Sequence, residues 1–457
     1  MQGEVFGPLE CSVTVDTIGK ECLQRGEYLY SYKGVEVPPL AMVDDLACIS
    51  TCGVDTVKTN SYINTKTNLK KLQFGQDKCH KMHIGKEKIY CPELYIDTWK
   101  MELRTKFETK VEEDVFNGEY EMEESDEEKY LGDLITSNGL NKKNIAARKG
   151  KGYGIIERII GMLQEISFGP NYFVVANLLR HSLFLSSVLL NSEAWYALTL
   201  ADVEQLEMVD QALLKRIMET PSSTPNVILY LEMGCLPIRY IIKSRRMMFL
   251  HYILNQKENS LIFKFFKAQL ENPVKGDWCE MVNLDLREIN LQLSMDEIRG
   301  LSIESFRKQV KKAIDKAAFK WLIEEKNKKS KVKVLNYDRL EIQNYLECSQ
   351  LNTTEKKLLF QLRTRMVDVK VNFKNMHSDV ICPVCGISED EQKHILECQA
   401  LLCNISDIIP EKVEYEDIFH CDISKQTSIL KIFYNLWKKR KQMMIQGRHP
   451  YTVSHVI

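Results

Sequence analysis

The sequence has no apolar run long enough to cross a membrane. Its most hydrophobic stretch, FVVANLLRHSLFLSSVLL, is broken by Arg180 and His181 and falls short of the roughly 20 residues a span requires, so it reads as a buried helix. The opening MQGEVFGPLE has neither a basic start nor an apolar core and does not read as a secretory leader. Net charge is nearly nil, −1 from 62 Lys and Arg against 63 Asp and Glu, which leaves the distribution of charge as the informative quantity. No repeat of roughly 20–50 residues recurs, which excludes solenoids and propellers. The 14 cysteines make no disulfide framework; most sit in apolar settings such as LACISTC, the usage of a reducing intracellular compartment, nucleus or cytoplasm.

What the chain does have is material for cores: 44% hydrophobic residues over 457 positions, enough for two to four domains. After Gly7-Pro8, apolar residues recur at helical spacing through Val13, Val15, Ile18 and Leu23. The pattern then predicts a short hairpin at LAMVDDLACIS, a helix over Val54–Leu72 ending near Gly75, and a strand in HIGKEKIYC. Residues 112–128 (EEDVFNGEYEMEESDEE) offer few apolar anchors and read as a solvated, mobile insertion; 128–139 reads as one strand bounded by Asn138-Gly139. From Lys142 the pattern is mostly helical. Thr224-Pro225 and Leu236-Pro237 read as helix starts with Gly234 as the stop between them, and 256–300 reads as a less regular connection. A basic amphipathic helix over 303–326, a flexible lysine-rich linker over 326–333, and helices over 354–372 and 428–446 complete the reading.

Asp44 and Asp45 sit between apolar runs. Two carboxylates at a hairpin tip offer the hard oxygen ligands that suit Mg²⁺, which keeps its other positions for water and substrate phosphates. An adjacent pair of acids is more often a plain solvated turn, but placing like charges against apolar strands demands compensation.

Here the sequence resembles a known family. Met42-Val43-Asp44-Asp45 is similar to the aromatic-x-Asp-Asp motif of reverse transcriptases, with Met where an aromatic is common. Gln2-Gly3-Glu4-Val5-Phe6-Gly7-Pro8-Leu9 resembles the family's QG…P motif, which implies template and nucleotide contacts at Gln2 and Gly3. GQDKCHKMHIGK resembles the motif whose lysine assists the leaving pyrophosphate, which implies that role for Lys78. Tyr130-Leu131-Gly132 and the apolar strand after it resemble the primer grip of non-LTR retrotransposon enzymes. The four motifs occur in the family's order, and LLNSEAWYALTLADVEQLEMVDQALLKRI and LEMGCLPIRYIIKSRRMMFLHYIL are similar to its later helical segments. The resemblance covers most of the chain. It implies an RNA-directed DNA polymerase acting on an RNA template and a DNA primer or target, with Mg²⁺ at Asp44 and Asp45.

The same family takes a further catalytic aspartate from a strand before the QG motif. No residue here matches it, Asp16 lying on the following helix, which implies that this chain is inactive alone and that its palm sheet leaves apolar surface and backbone groups uncovered. A non-catalytic nucleic-acid-binding protein derived from such an element is the alternative, and a helical scaffold with an unrelated zinc knuckle a third reading.

Residues 382–398, CPVCGISEDEQKHILEC, have the spacing C-x2-C-x8-H-x3-C. The first two cysteines, in a turn ending at Gly386, present two thiolates to one ion, and His394 and Cys398 at i and i+4 share one helix face, a tetrahedral Zn²⁺ set. Buried free cysteines beside a surface histidine is the plainer reading, and Cys403 or the pair His420-Cys421 are substitute ligands. The arrangement resembles the zinc-binding segment after the polymerase of non-LTR elements; nucleic-acid contact and a purely structural staple both remain open.

Basic clusters at Lys142, Lys143, Arg148, Lys149 and Lys151, and at Lys243, Arg245 and Arg246, suit a phosphate backbone, with a solvated helix face as the plain alternative. The fold expected is α+β: a partial palm over 1–140 with an incomplete antiparallel sheet, a helical thumb over 141–255, a helical connection and basic linker over 256–350, and a zinc-bearing region over 351–457.

Overall fold

The computed structural model describes residues 7–25, 29–43, 45–70, 72–85, 92–106, 109–165, 169–403, 414–419 and 423–445. Over these the chain is α+β, mainly helical, with small sheets confined to its N-terminal third. Helix α1 (Gly7–Arg25) leads into two short antiparallel hairpins, β1 (Tyr30–Tyr32) with β2 (Val35–Val37) and β3 (Leu40–Met42) with β4 (Asp45–Ala47). Helix α2 (Gly53–Leu69) follows, its first turn capped by Cys52, whose sulfur accepts from the Asp55 N–H at 3.5 Å. Ile18 and Cys22 of α1 close against Ile63 of α2 in a small core.

Next come β5 (His80–Lys81), the long antiparallel hairpin of β6 (Tyr95–Lys106) with β7 (Thr109–Glu121), β8 (Glu123–Glu124), which pairs in parallel with β5, and the hairpin of β9 (Glu127–Tyr130) with β10 (Asp133–Thr136). Each described sheet has two strands. The acidic segment 112–128 is therefore ordered strand, contrary to the expectation of a mobile insertion. Its backbone groups are satisfied along the register from Tyr95↔Glu121 to Lys106↔Thr109, and Phe116 meets Trp99 edge-on with ring centres 5.8 Å apart. Charge count hid a period of two: Glu119 and Glu121 are exposed and Tyr120 between them is half-buried. The single strand expected over 128–139 is also corrected. Leu131 (φ 47°) and Gly132 (φ 90°) both adopt the left-handed conformation, and this two-residue turn folds the segment into a hairpin.

The helical body starts with α3 (Lys142–Glu165) and α4 (Tyr172–Leu179), which runs through a π-helical turn at Arg180–Leu185 into α5 (Ser186–Val188). Helix α6 (Leu200–Met218) opens with a capping box between Thr199 and Asp202. Pro225 and Pro237 stand immediately before α7 (Asn226–Met233) and α8 (Ile238–Leu254), as expected. Gly234 ends α7 at φ +62°, and a Cβ on it would run into the backbone of Glu341 and Ile342, so only glycine lets the two segments meet. The connection over 256–300 is more regular than expected, with α9 (Leu261–Glu271), α10 (Trp278–Glu288) and α11 (Met295–Gly300). Asp277 caps α10 by accepting from Glu280 N at 2.7 Å, and Ser294 with Glu297 forms a capping box on α11.

Helix α12 (Ile303–Asn327) buries Phe306, Val310, Ile314, Ala318 and Leu322 at a spacing of four. The lysine-rich stretch after it is not a flexible linker. Lys326 is buried and its ammonium donates to the carbonyls of Lys333 (3.2 Å) and Leu335, drawing Val332 and Leu335 into the main core. The chain finishes with α13 (Asn344–Glu347), α14 (Thr353–Arg363), α15 (Gln392–Glu397), α16 (Gln399–Leu402) and α17 (Ile423–Ile445). One apolar core runs from Ile145 of α3 to Trp437 of α17, and a second joins α8 to α9, α10, α11 and α12.

At the centre of the larger core lie two fully buried charges. Arg180 donates from Nε and Nη2 to the two carboxylate oxygens of Asp210, both at 2.7 Å, and from Nη2 to the Leu236 carbonyl at 2.9 Å; Tyr230 donates to Asp210 at 3.2 Å. Removing one partner strands the other in a low-dielectric interior. Arg180→Met is expected to cost about 3–5 kcal/mol of stability in urea unfolding, and Arg180→Met with Asp210→Leu to recover much of it.

Candidate metal centre and acidic hairpin

Cys382, Cys385, His394 and Cys398 converge so that one ligand atom from each lies within 4.8 Å of all the others. A Cys382–Gly386 turn presents the first two: Gly386 N–H donates to the Cys382 carbonyl at 2.9 Å, and Cys382 N–H to the Ser388 carbonyl at 2.8 Å. His394 enters from α15, with Nε2 3.4 Å from Cys385 Sγ. Cys398 is the residue at which α15 ends and α16 begins, its ψ of 107° already off the helix, so it reaches the site from a bend and not from a shared helix face. Cys382 and Cys398 are buried, and His394 is 9% exposed.

The thiols are unequal. Burial pushes Cys382 above the usual thiol range and Cys398 up to about 12. Burial also opposes ionisation of Cys385, but the N–H groups of Ser388 and Ile387 and the His394 imidazole outweigh it and bring this thiol to about 7. Without a cation, three thiolates in so closed a space repel one another. A metal ion reverses that balance, and the group can hold one.

The site is braced from behind. Asp390, wholly buried, accepts from the Lys370 N–H at 2.9 Å and from Arg440 Nη2 of α17 at 2.7 Å; Gln392 donates to the Leu362 carbonyl at 3.1 Å and to the Tyr415 hydroxyl at 2.7 Å. Sequence reading missed both residues, although a lone Asp390 amid EDEQ, just before the histidine helix, is where a brace would sit. Cys403 lies exposed beyond α16, outside the four-residue group, and His420-Cys421 falls outside the described residues.

At the other end of the chain, Asp45 begins β4 opposite Met42 and is exposed, so solvent meets its charge. Asp44, Gln2 and Gly3 lie outside the described residues. Val43, the first turn residue, has φ 57°, a strained conformation for a β-branched side chain that costs about 1–3 kcal/mol. A depression of about 310 Å³ beside it is lined by Asp16, Lys20, Pro39, Met42 and Val43. Asp16 lies on α1, the helix expected there, and pairs with Lys20 at 2.5 Å. Met42 is 56% exposed and Ile49 44%, apolar surface left open beside the hairpin. Lys78 stands exposed in a 3₁₀ turn over Gln76–Lys78, and among the described residues no hydrogen bond or ion pair joins its side chain to Asp45.

Tyr130, 85 residues beyond Asp45, does come to the acidic hairpin: its hydroxyl donates to the Leu40 carbonyl at 3.3 Å, and burial followed by the Asp45 charge raises its pKa. The neighbouring turn is clamped to the helical body. Arg148 donates to the Gly132 carbonyl at 2.6 Å and to Asp133 at 2.8 Å, while Asn191 donates to the Leu131 carbonyl at 3.0 Å. Asp133 also accepts from Asn144 (2.9 Å), Asn191 (2.8 Å) and Trp195 (3.3 Å).

These contacts correct the reading of the basic clusters. Arg148 is buried, as is Arg246 in its pair with Asp285; Lys243 joins Asp285 at 3.1 Å, and Arg245 donates to the Leu189 carbonyl and to Ser192 at 3.3 Å. Their donors serve the fold, because α3 and α8 bury the faces that carry them. Lys143 pairs with Glu127 at 2.7 Å at the surface; Lys142 and Lys151 are exposed and Lys149 partly so. No helix among the described residues is long and apolar enough to cross a membrane. No family model matches this chain, and no curated protein matches it.

Burial raises the Asp133 pKa, but its four donors, Arg148 first, outweigh it and hold the carboxyl below its ordinary 3.8. A depressed carboxyl contributes stability that is present at neutral pH and lost as pH falls through its folded value. Asp133→Asn is therefore expected to lower the melting temperature at about pH 7, with the gap from wild type closing below about pH 4. A gap independent of pH would show that the charge of Asp133 contributes nothing.

Proposed function

We propose that this chain is the partial palm, thumb and zinc-bearing part of an RNA-directed DNA polymerase of the non-LTR retrotransposon type, acting on an RNA template and a DNA primer or target. The observation that carries the reading is the contact between Tyr130 and the Asp45 hairpin. Four short motifs in family order are weak evidence singly; the contact made from the second-last strand of the N-terminal part to the acidic hairpin supports reading two of them together. In this reading the Leu131-Gly132 turn, stiffened by Arg148 and Asn191, holds the primer end, and the exposed carboxylate of Asp45 serves its 3′ oxygen.

Mg²⁺ fits such carboxylates by chemistry, hard oxygen to hard cation, and when bound it would neutralise charge on the reacting phosphates. Asp45 offers an exposed oxygen ligand on a strained turn, which suits that role. Two-metal centres take carboxylates from two strands, and among the described residues β3 and β4 pair only with each other. The described residues therefore show part of such a centre, and we expect negligible primer extension from this chain. The second reading, a nucleic-acid-binding protein without catalysis, rests on this same incompleteness.

For the cysteine cluster we propose Zn²⁺, since three soft sulfurs and one imidazole suit it and Zn–S bonds of about 2.3 Å in a tetrahedron place sulfurs about 3.8 Å apart, inside the observed spacing. Elemental analysis is expected to find one zinc per chain, lost in Cys382→Ser; a metal-free chain would refute the site. For the polymerase reading, a primed RNA template carrying a photoreactive base at the primer 3′ end is expected to crosslink within residues 127–136. Crosslinks confined to other segments would sink the grip assignment, and no binding of primed template at low salt would sink the reading as a whole.

A further inference from the structure

The internal use of Arg148, Arg245 and Arg246 leaves open which surface meets the nucleic acid that the proposed function requires. On the face of α12 opposite its buried stripe, Lys308, Lys312, Lys316 and Lys320 follow one another at a spacing of four, all exposed, with Arg307 and Lys311 exposed beside the first two. None of the six ion-pairs with a carboxylate among the described residues. Other exposed lysines, among them Lys33, Lys264, Lys275 and Lys431, also lack an ion pair among the described residues; what sets these six apart is that they gather on one face of a single helix. Asp315, half-buried, interrupts the neighbouring row, and Glu324 closes the stripe one turn beyond Lys320.

We infer that this ridge is a docking surface for the phosphodiester backbone of a nucleic-acid duplex. Four residues of helix rise about 6 Å and turn about 40° past a full revolution, so Lys308 to Lys320 form an inclined row that rises about 18 Å and winds about 120° around the helix. One duplex strand carries a charge every ~3.4 Å of axis, so about five phosphates pass alongside it. An anionic lipid surface fits less well. Membrane-lying helices turn an apolar face outward to insert it, whereas the apolar face of α12, Phe306 to Leu322, is consumed in the cores. The helix is rigidly seated, its N-terminus capped by Ser302, whose hydroxyl accepts from Ser305 N–H at 3.2 Å, so the cations keep a fixed spacing before binding.

The inference rests on the proposed function, and one experiment separates the two. Binding of the full, zinc-loaded chain to a labelled 24-base-pair RNA–DNA hybrid is measured by anisotropy between 50 and 300 mM salt. The variant K308Q/K312Q/K316Q/K320Q is compared with K33Q/K264Q/K275Q/K431Q, which removes the same charge from other exposed positions, and with the four-fold Lys→Arg variant of the ridge. Expected is a log–log salt slope shallower by about three to four in the ridge variant, with weaker binding at every salt, a smaller change in the control, and retention in the Arg variant. Unchanged thermal melting and zinc content establish that the ridge variant folds. Wild-type binding that survives neutralisation of the ridge overturns this inference and leaves the proposed function standing; failure of the wild-type chain to bind overturns both. Loss of binding to phosphatidylserine vesicles without loss of hybrid binding also overturns it, in favour of a membrane surface.

Discussion

A guanidinium that leaves water must take a carboxylate with it, and this constraint organises the helical body. Arg180–Asp210 sets where the π-helical turn meets α6 and the start of α8. Arg246–Asp285 pins α8 to α10, Arg363 reaches Glu232 to join α14 to α7, and Arg440–Asp390 ties α17 to the segment before the histidine helix. Each pair spans elements far apart in sequence, and each guanidinium is buried. Such pairs add little net stability over a well-packed apolar substitute, but they penalise every alternative packing in which one partner is left alone.

That constraint also explains what was legible in the sequence. Elements governed by local chemistry were readable: the Pro225 and Pro237 starts, the Gly234 stop, the amphipathic period of α12 and the cysteine spacing each declare themselves within a few residues. Misreadings arose where the partner is remote. Lys326 looks like part of a soluble linker until the carbonyls of Lys333 and Leu335 fold back over it. Arg246 in IIKSRRMMF looks like a surface cation because nothing near it in sequence reveals Asp285. The acidic strand β7 misled for a related reason: its order comes from pairing with β6, and charge counting ignores a partner strand.

The two candidate sites differ in how much the fold supports them. Four ligands within one short segment close on each other with two hydrogen-bonded braces, and their spacing alone identified them. The acidic hairpin draws its support from a residue 85 positions later, through a turn that is itself held by Arg148 and Asn191. Its geometry thus depends on the helical body, whereas that of the cysteine cluster is largely local. Strain at Val43 belongs to the same picture, since an unfavourable backbone conformation persists only where its surroundings dictate it.

The brace through Asp390 has a wider consequence. Because Arg440 belongs to the core that extends back to Ile145, the cysteine cluster is not an appendage that can come and go by itself. Were the cluster to hold a metal ion, its affinity would enter the folding equilibrium of the entire helical body, and free metal supply would become a term in how much of the chain is folded at any moment. With a metal ion held there, metal scarcity in a cell would be felt as faster turnover of the whole polypeptide.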